Sequence, residues 1–274
     1  MRRRDLALTA TAAWLLLSSV PARAAASRLS LTGSSTVAPL ALEIGKRFET
    51  LNAGVRIDVQ SGGSSRGVTD ARAGLAQIGL VSRALKPDEG DLIAHTIALD
   101  GVGVIVHRGN PVGALSVAQL RALYRGEVRN WRELGGLDRA VTVVNKAEGR
   151  STLELFAGHL GLKNSEIRAQ VVIGDNAQGI KTVAGNPGAI GYVSIGSAEF
   201  EAAQGATIRL LPMDGVAASV ANVRAHRFPL ARPLNLVTRG PAQGLAAQFI
   251  AYARSAAVHD LIEAQFFIPI EAHG

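Results

Sequence analysis

The stretch that most constrains this chain runs from Leu29 to Phe48, where the repeat of apolar side chains changes within one short turn. Leu29 and Leu31 alternate with Ser30 and Thr32, the period of a strand with one buried face. Gly33 permits a sharp turn and Ser34-Ser35-Thr36 supplies hydroxyls. Val37, Leu40, Ala41, Ile44 and Phe48 then recur at helical spacing, with Thr36 in the N-cap position. A strand joined so tightly to a helix leaves the first helical N–H groups, with their partial positive charge, facing the loop. Such a turn either caps its own helix or cradles a small anion.

The same order returns along the chain. Val55, Ile57 and Val59 alternate into Gln60-Ser-Gly-Gly-Ser-Ser-Arg-Gly67, and a helix is predicted over 65–75. The short apolar run 77–81 ends in Ser82-Arg83. A buried strand over 141–145 leads to Lys146-Ala-Glu-Gly-Arg-Ser-Thr152 and a helix whose inner face is Leu153, Phe156, Ala157 and Leu160. The apolar run 97–107 is long enough to pass from one lobe to another, and 244–267 carries one broken or two consecutive helices. Strands alternating with helices predict an α/β architecture with mainly parallel sheets. Ligands of such sheets sit at the carboxyl ends of strands beside helix N-termini, where all four hydroxyl or basic loops fall.

With 274 residues, 47% of them hydrophobic, the chain can build one large or two medium cores. Its start fits an export leader: a basic Met-Arg-Arg-Arg, an apolar run over 6–20, and the small-residue pattern Ala22-Arg23-Ala24. A cleaved signal peptide over 1–24 is the expectation, with Arg2-Arg3 or Arg3-Arg4 as a weak twin-arginine element. The run is short for a bilayer span, and the absence of cysteine removes any lipid attachment through that residue. A soluble periplasmic protein fits both facts. Loss of the leader, with four Arg and one Asp, lowers the formal charge from +7 to +4. That excess suits a small anion and is too dispersed for nucleic acid, as are the aromatic residues, at 4%.

Gly63-Ser64-Ser65-Arg66-Gly67 also matches the G-x-S-x-G elbow of serine hydrolases, with Ser64 as the nucleophile in question. His107, His159, His226 and His259 sit on ordinary strand or helix patterns with no acidic partner in view, which argues against an enzyme. The six histidines lack metal-ligand spacing, so neither a metal nor another cofactor is expected.

Taken in order, Thr32-Gly-Ser-Ser-Thr-Val-Ala-Pro-Leu40, Gly62-Gly-Ser-Ser-Arg-Gly67, Ser82-Arg83, Asn110-Pro-Val112, Asn130-Trp131, Asn186-Pro-Gly-Ala-Ile-Gly-Tyr-Val193 and Phe228-Pro-Leu-Ala-Arg-Pro-Leu234 resemble the periplasmic phosphate-binding proteins of ABC uptake systems. The resemblance implies a two-lobe α/β fold with mixed sheets, lobe one over 28–106 and 224–274, and lobe two over 107–223. It implies an interlobe cleft that closes on inorganic phosphate, a monomer, and delivery to an ABC permease in the inner membrane. It assigns ligand contacts to Ser34, Ser35, Thr36, Ser64, Ser65, Ser82, Arg83, Lys146, Arg150, Ser151 and Thr152. Molybdate, tungstate or sulfate would be the related oxyanions, and a phosphate-sensing role the alternative to transport.

Two departures from that family stand out. Lys146 replaces an arginine of the second lobe, and a lysine lacks the bidentate fork, which leaves Arg150 to supply it. Arg83 stands where some members place an aspartate that accepts a phosphate proton. The group reading that proton must then lie elsewhere, with Glu148 as a candidate, or be absent.

Overall fold

The computed structural model describes residues 27–270; the expected leader and its cleavage pattern lie outside the described residues, as do 271–274. In chain order the elements are β1 (Ser27–Gly33), α1 (Val37–Leu51), β2 (Val55–Ser61), α2 (Ser64–Ala73), β3 (Ile78–Val81), β4 (Leu92–His107), α3 (Val117–Arg125), β5 (Thr142–Lys146), α4 (Ser151–Leu160) and β6 (Val171–Ile173). They continue as α5 (Asn176–Ala184), β7 (Ala189–Ser194), α6 (Ile195–Ala203), β8 (Ile208–Leu211), α7 (Val220–Arg224), β9 (Ala231–Arg239), α8 (Gly244–Ala253), α9 (His259–Ala264) and β10 (Ile268–Pro269). Among the described residues no helix is long and apolar enough to cross a membrane.

The strands run in the order β2-β1-β3-β9-β4-β7-β5-β6, with β8 and β10 also on β4. Pairings are parallel at the two ends, β1 with β2 and β3, and β5 with β6 and β7. In the middle they are antiparallel, because β9 returns against β3 and β4, and β7 and β8 run against β4. The mainly parallel sheets read from the alternation of strands and helices are corrected to the mixed sheet that the resemblance implied: the long strands β4 and β9 link two parallel α/β units and run against their neighbours. Hydrophobic cores divide along β4. Ile97 and Ala98 pack with Leu29, Leu31, Ile44, Phe48, Leu80 and Phe249. Val102 and Val104 pack instead with Leu123, Tyr124, Trp131, Phe156 and Tyr192.

The turn after β1 has the closest backbone packing. Gly33 has φ +136°, and a Cβ there would lie 2.3 Å from the Leu80 carbonyl oxygen and 2.9 Å from the Gly67 Cα. Its own carbonyl accepts the Gly62 and Gly63 N–H groups at 2.7 and 2.8 Å, while the Ser34 N–H donates to the Leu80 carbonyl at 2.7 Å. Backbone contacts thus hold the ends of β1, β2 and β3 together, so the hydroxyls that follow them converge. Gly33→Ala combines a disfavoured φ with a backbone clash and is expected to lower unfolding stability by roughly 2–5 kcal/mol, read from a denaturant midpoint.

Candidate functional site

Four turns meet where the two cores adjoin. Ser34 Oγ accepts from the N–H groups of Thr36 and Val37, at 3.2 and 3.4 Å, and donates to Ser82 Oγ at 2.8 Å. Ser34 is therefore the capping side chain of α1. Thr36, assigned that part from the sequence, already has helical backbone angles and makes no side-chain cap bond. Ser64 Oγ, at the head of α2, accepts from the Ser82 N–H at 3.1 Å and donates to Ser151 Oγ at 3.0 Å. Ser82 and Ser151 hydroxyls lie 2.6 Å apart. Ser34, Ser64, Ser82 and Ser151 are all buried, and the first helical turns of α1, α2 and α4 bring the positive ends of three macrodipoles to this point.

One cation bonds the hydroxyls directly and two more stand beside the cluster. Arg232, on β9, directs Nε and Nη2 to Asp100 Oδ2 at 3.1 and 2.8 Å, and both side chains are 1% exposed. The rest of the guanidinium points into the cluster, donating from Nη1 to Thr152 Oγ1 at 3.0 Å and from Nη2 to Thr36 Oγ1 at 3.3 Å. Asp100 is fully engaged, because its other oxygen accepts the Ser194 hydroxyl and the Gly196 N–H at 3.0 and 3.3 Å. Lys146, at the end of β5 and 2% exposed, donates from Nζ to Asn176 Oδ1 at 2.8 Å. Desolvation, and then repulsion by Arg232, lowers its pKa to about 7 against the pull of Asp175, with a smaller repulsion from Arg150. Arg150 occupies the N-cap position of α4 without a side-chain cap bond, and its buried Nε and Nη1 have no hydrogen-bond partner among the described residues. An excess of buried positive charge beside helix N-termini and hydroxyl donors is the chemistry of a small-anion site.

A PBP superfamily domain matches residues 19–257. The phosphate-binding protein PstS of Bacillus subtilis is 30% identical over 252 residues, covering 90% of this chain and 82% of that protein. This chain belongs to the PBP superfamily and is PstS-like. Among solved structures, a Clostridium perfringens phosphate ABC transporter substrate-binding protein with bound phosphate superimposes with a TM-score of 0.81, at 29% identity, over 89% of this chain and 100% of that one. An ABC-type phosphate transport receptor from Vibrio cholerae gives a TM-score of 0.73, at 26% identity, over 88% of this chain and 100% of that one. The two-lobe α/β class with mixed sheets, expected from the sequence, is the fold of these relatives.

Within this PstS-like chain, the sequence candidates separate into two groups. Ser34, Thr36, Ser64, Ser82, Lys146, Ser151 and Thr152 are buried in the cluster, with Arg150 at its edge. Arg83 is not in it: its guanidinium is held bidentately by Glu89 at 2.7 and 2.8 Å, and its Nε lies 3.1 Å from Glu154. Ser65 donates to Glu154 at 3.3 Å, and its N–H reaches the Gly149 carbonyl at 3.2 Å. Ser35 lines a neighbouring groove of about 600 Å³ with Pro39, Leu42, Ile180 and Phe200. Glu148, the candidate proton acceptor, is exposed and accepts from Asn164 at 3.0 Å. Ser64 Oγ is bonded to hydroxyls and an amide rather than to an imidazole, so it lacks the base of a hydrolytic serine. Sequence reasoning passed over Arg232, Asp100 and Asn176; charged residues inside otherwise apolar strands were the available signal for the first two.

Removing Arg232 strands the Asp100 carboxylate in a dry interior. Arg232→Met should therefore cost about 3–5 kcal/mol of unfolding stability, and adding Asp100→Asn should recover part of the loss in the same denaturation assay.

Proposed function

We propose that this chain captures inorganic phosphate between its two lobes and releases it to an ABC permease, as a solute-binding protein without catalytic activity. The observation that carries the reading is the charge balance of the cluster. Arg232 has Asp100, but Lys146 and Arg150 have no ion-pair partner among the described residues; Lys146 is buried beside Asn176, which also bonds Thr36, and Arg150 stands at the head of α4. An anion of two negative charges compensates both. The phosphate bound by the Clostridium perfringens relative, 29% identical over nearly the whole fold, supports the choice of ligand.

In this reading the ligand contacts are Ser34, Thr36, Ser64, Ser82, Lys146, Arg150, Ser151, Thr152 and Arg232. The lobes meet within β4 near Asp100 and at the entry to β9, and closure brings Ser151 and Thr152 of the second lobe to Ser64, Ser82 and Arg232 of the first. Hydroxyl and amide donors held in place within each lobe stabilise the ligand once closure excludes water. Residues 1–24 act as an export leader, and the mature chain works as a periplasmic monomer.

Titration calorimetry with phosphate, sulfate and molybdate tests this directly. Phosphate is expected to bind, and absence of heat and of competition by phosphate across the range from acid to mildly alkaline pH would defeat the reading. Saturable binding of sulfate or molybdate alone would transfer the function to that oxyanion. Thr152→Ala and Thr36→Ala should each weaken phosphate binding by about 1–3 kcal/mol, while Ser35→Ala changes it little.

A further inference from the structure

Lys146 is the one cation of the cluster that can lose its charge, and its surroundings favour that loss. Its single side-chain hydrogen bond is to a neutral amide oxygen, Asn176 Oδ1. The charged groups around it are Arg232 from β9 and Arg150 from the head of α4, both repelling, and Asp175 from the head of α5, attracting. Asp175 also caps its own helix by accepting the Gln178 N–H at 2.8 Å. Tyr192, from β7, accepts the Lys146 backbone N–H at 3.3 Å and stays neutral, because burial raises its pKa. Asp100 is engaged by Arg232, Ser194 and Gly196. A buried ammonium with no carboxylate of its own and two guanidinium neighbours is held protonated only at the cost of desolvation and repulsion.

We propose that Lys146, buried with a neutral amide oxygen as its one side-chain partner and no carboxylate paired to it, makes anion binding at this site depend on a proton that its side chain takes up as the anion binds. The proposal rests on the phosphate reading and deepens it. Arginine at this position stays charged throughout, so lysine makes binding depend on a proton where arginine would not. Neither Arg83 nor Glu148 provides this device, since the first is paired with Glu89 and the second is exposed.

The sign follows from the two states. In the free protein the midpoint is about 7, and a bound dianion beside Nζ raises it. Below the free midpoint Lys146 is charged before and after binding, and its attraction contributes fully. Above it, each binding event must first collect a proton, so affinity falls by roughly tenfold per pH unit until the bound-state midpoint is passed.

Calorimetry with inorganic phosphate at about pH 8.5, in buffers of different ionisation enthalpy, counts the protons; that pH lies above the free midpoint near 7. The full mature chain should take up close to one proton more per phosphate than Lys146→Arg, whose guanidinium does not titrate. Equal counts in the two proteins would overturn the proposal while leaving phosphate binding intact. No phosphate binding by the unaltered protein would defeat the underlying reading, and this one with it. Should Lys146→Arg fold poorly, NMR titration of the Lys146 side chain in the unaltered protein decides. An upward displacement of its midpoint by phosphate supports the assignment, and an unmoved midpoint contradicts it.

Discussion

The buried pair of Arg232 and Asp100 is the constraint on which the rest of the cleft depends. Asp100 lies on the strand that runs through both cores, at the point where one set of packed side chains gives way to the other. Arg232 lies opposite on β9, the register partner of Asp100. Two charges taken so completely from water are tolerated only because every remaining lone pair and proton is also matched. Asp100 collects Ser194 and Gly196 at the head of α6, and Arg232 collects Thr36 and Thr152. The pair therefore joins elements from both halves of the sequence and fixes where the hydroxyl turns must meet.

From that fixed point follows a division of labour among the basic residues. Arg83 is compensated locally by Glu89 and Glu154, and Arg232 by Asp100. The first pair braces the turn after β3, leaving Ser82 directed at Ser34 and Ser151. Lys146 and Arg150 have no carboxylate partner among the described residues, which is the ground for proposing an anion beside them. Ser64 and Ser82 hydrogen-bond Ser151 at the head of α4, which keeps these buried hydroxyls satisfied.

Much of this was legible in the sequence, for identifiable reasons. A change of period across Gly33 reveals a strand and helix whatever they pack against, and a hydroxyl turn at a helix head is a local event. That is why Ser34, Thr36, Ser64, Ser82, Ser151 and Thr152 could be placed. Arg83 reads the same way as Arg150, one basic residue beside a serine, yet Glu89 and Glu154 take it out of the cluster. Glu154 belongs to α4, so that contact exists only after the chain has folded. Arg232 and Asp100 lie 132 residues apart, with neither a hydroxyl turn nor a helix start to mark them. Only their presence in apolar strands hinted that each needed a buried partner. The antiparallel middle of the sheet was hidden from the alternation of strands and helices and followed only from the family resemblance, because strand direction depends on which elements a returning strand meets.

The central claim is a position: one small anion held by groups of both lobes. A crystal structure of the mature chain grown with arsenate, a phosphate analogue whose arsenic can be located by anomalous scattering, measures that position directly. The account predicts a single strong arsenic site within hydrogen-bonding reach of Ser82, Thr152, Lys146 and Arg232, all buried at the lobe junction. A fully occupied site elsewhere, or a saturated crystal with no arsenic at this junction, would contradict it.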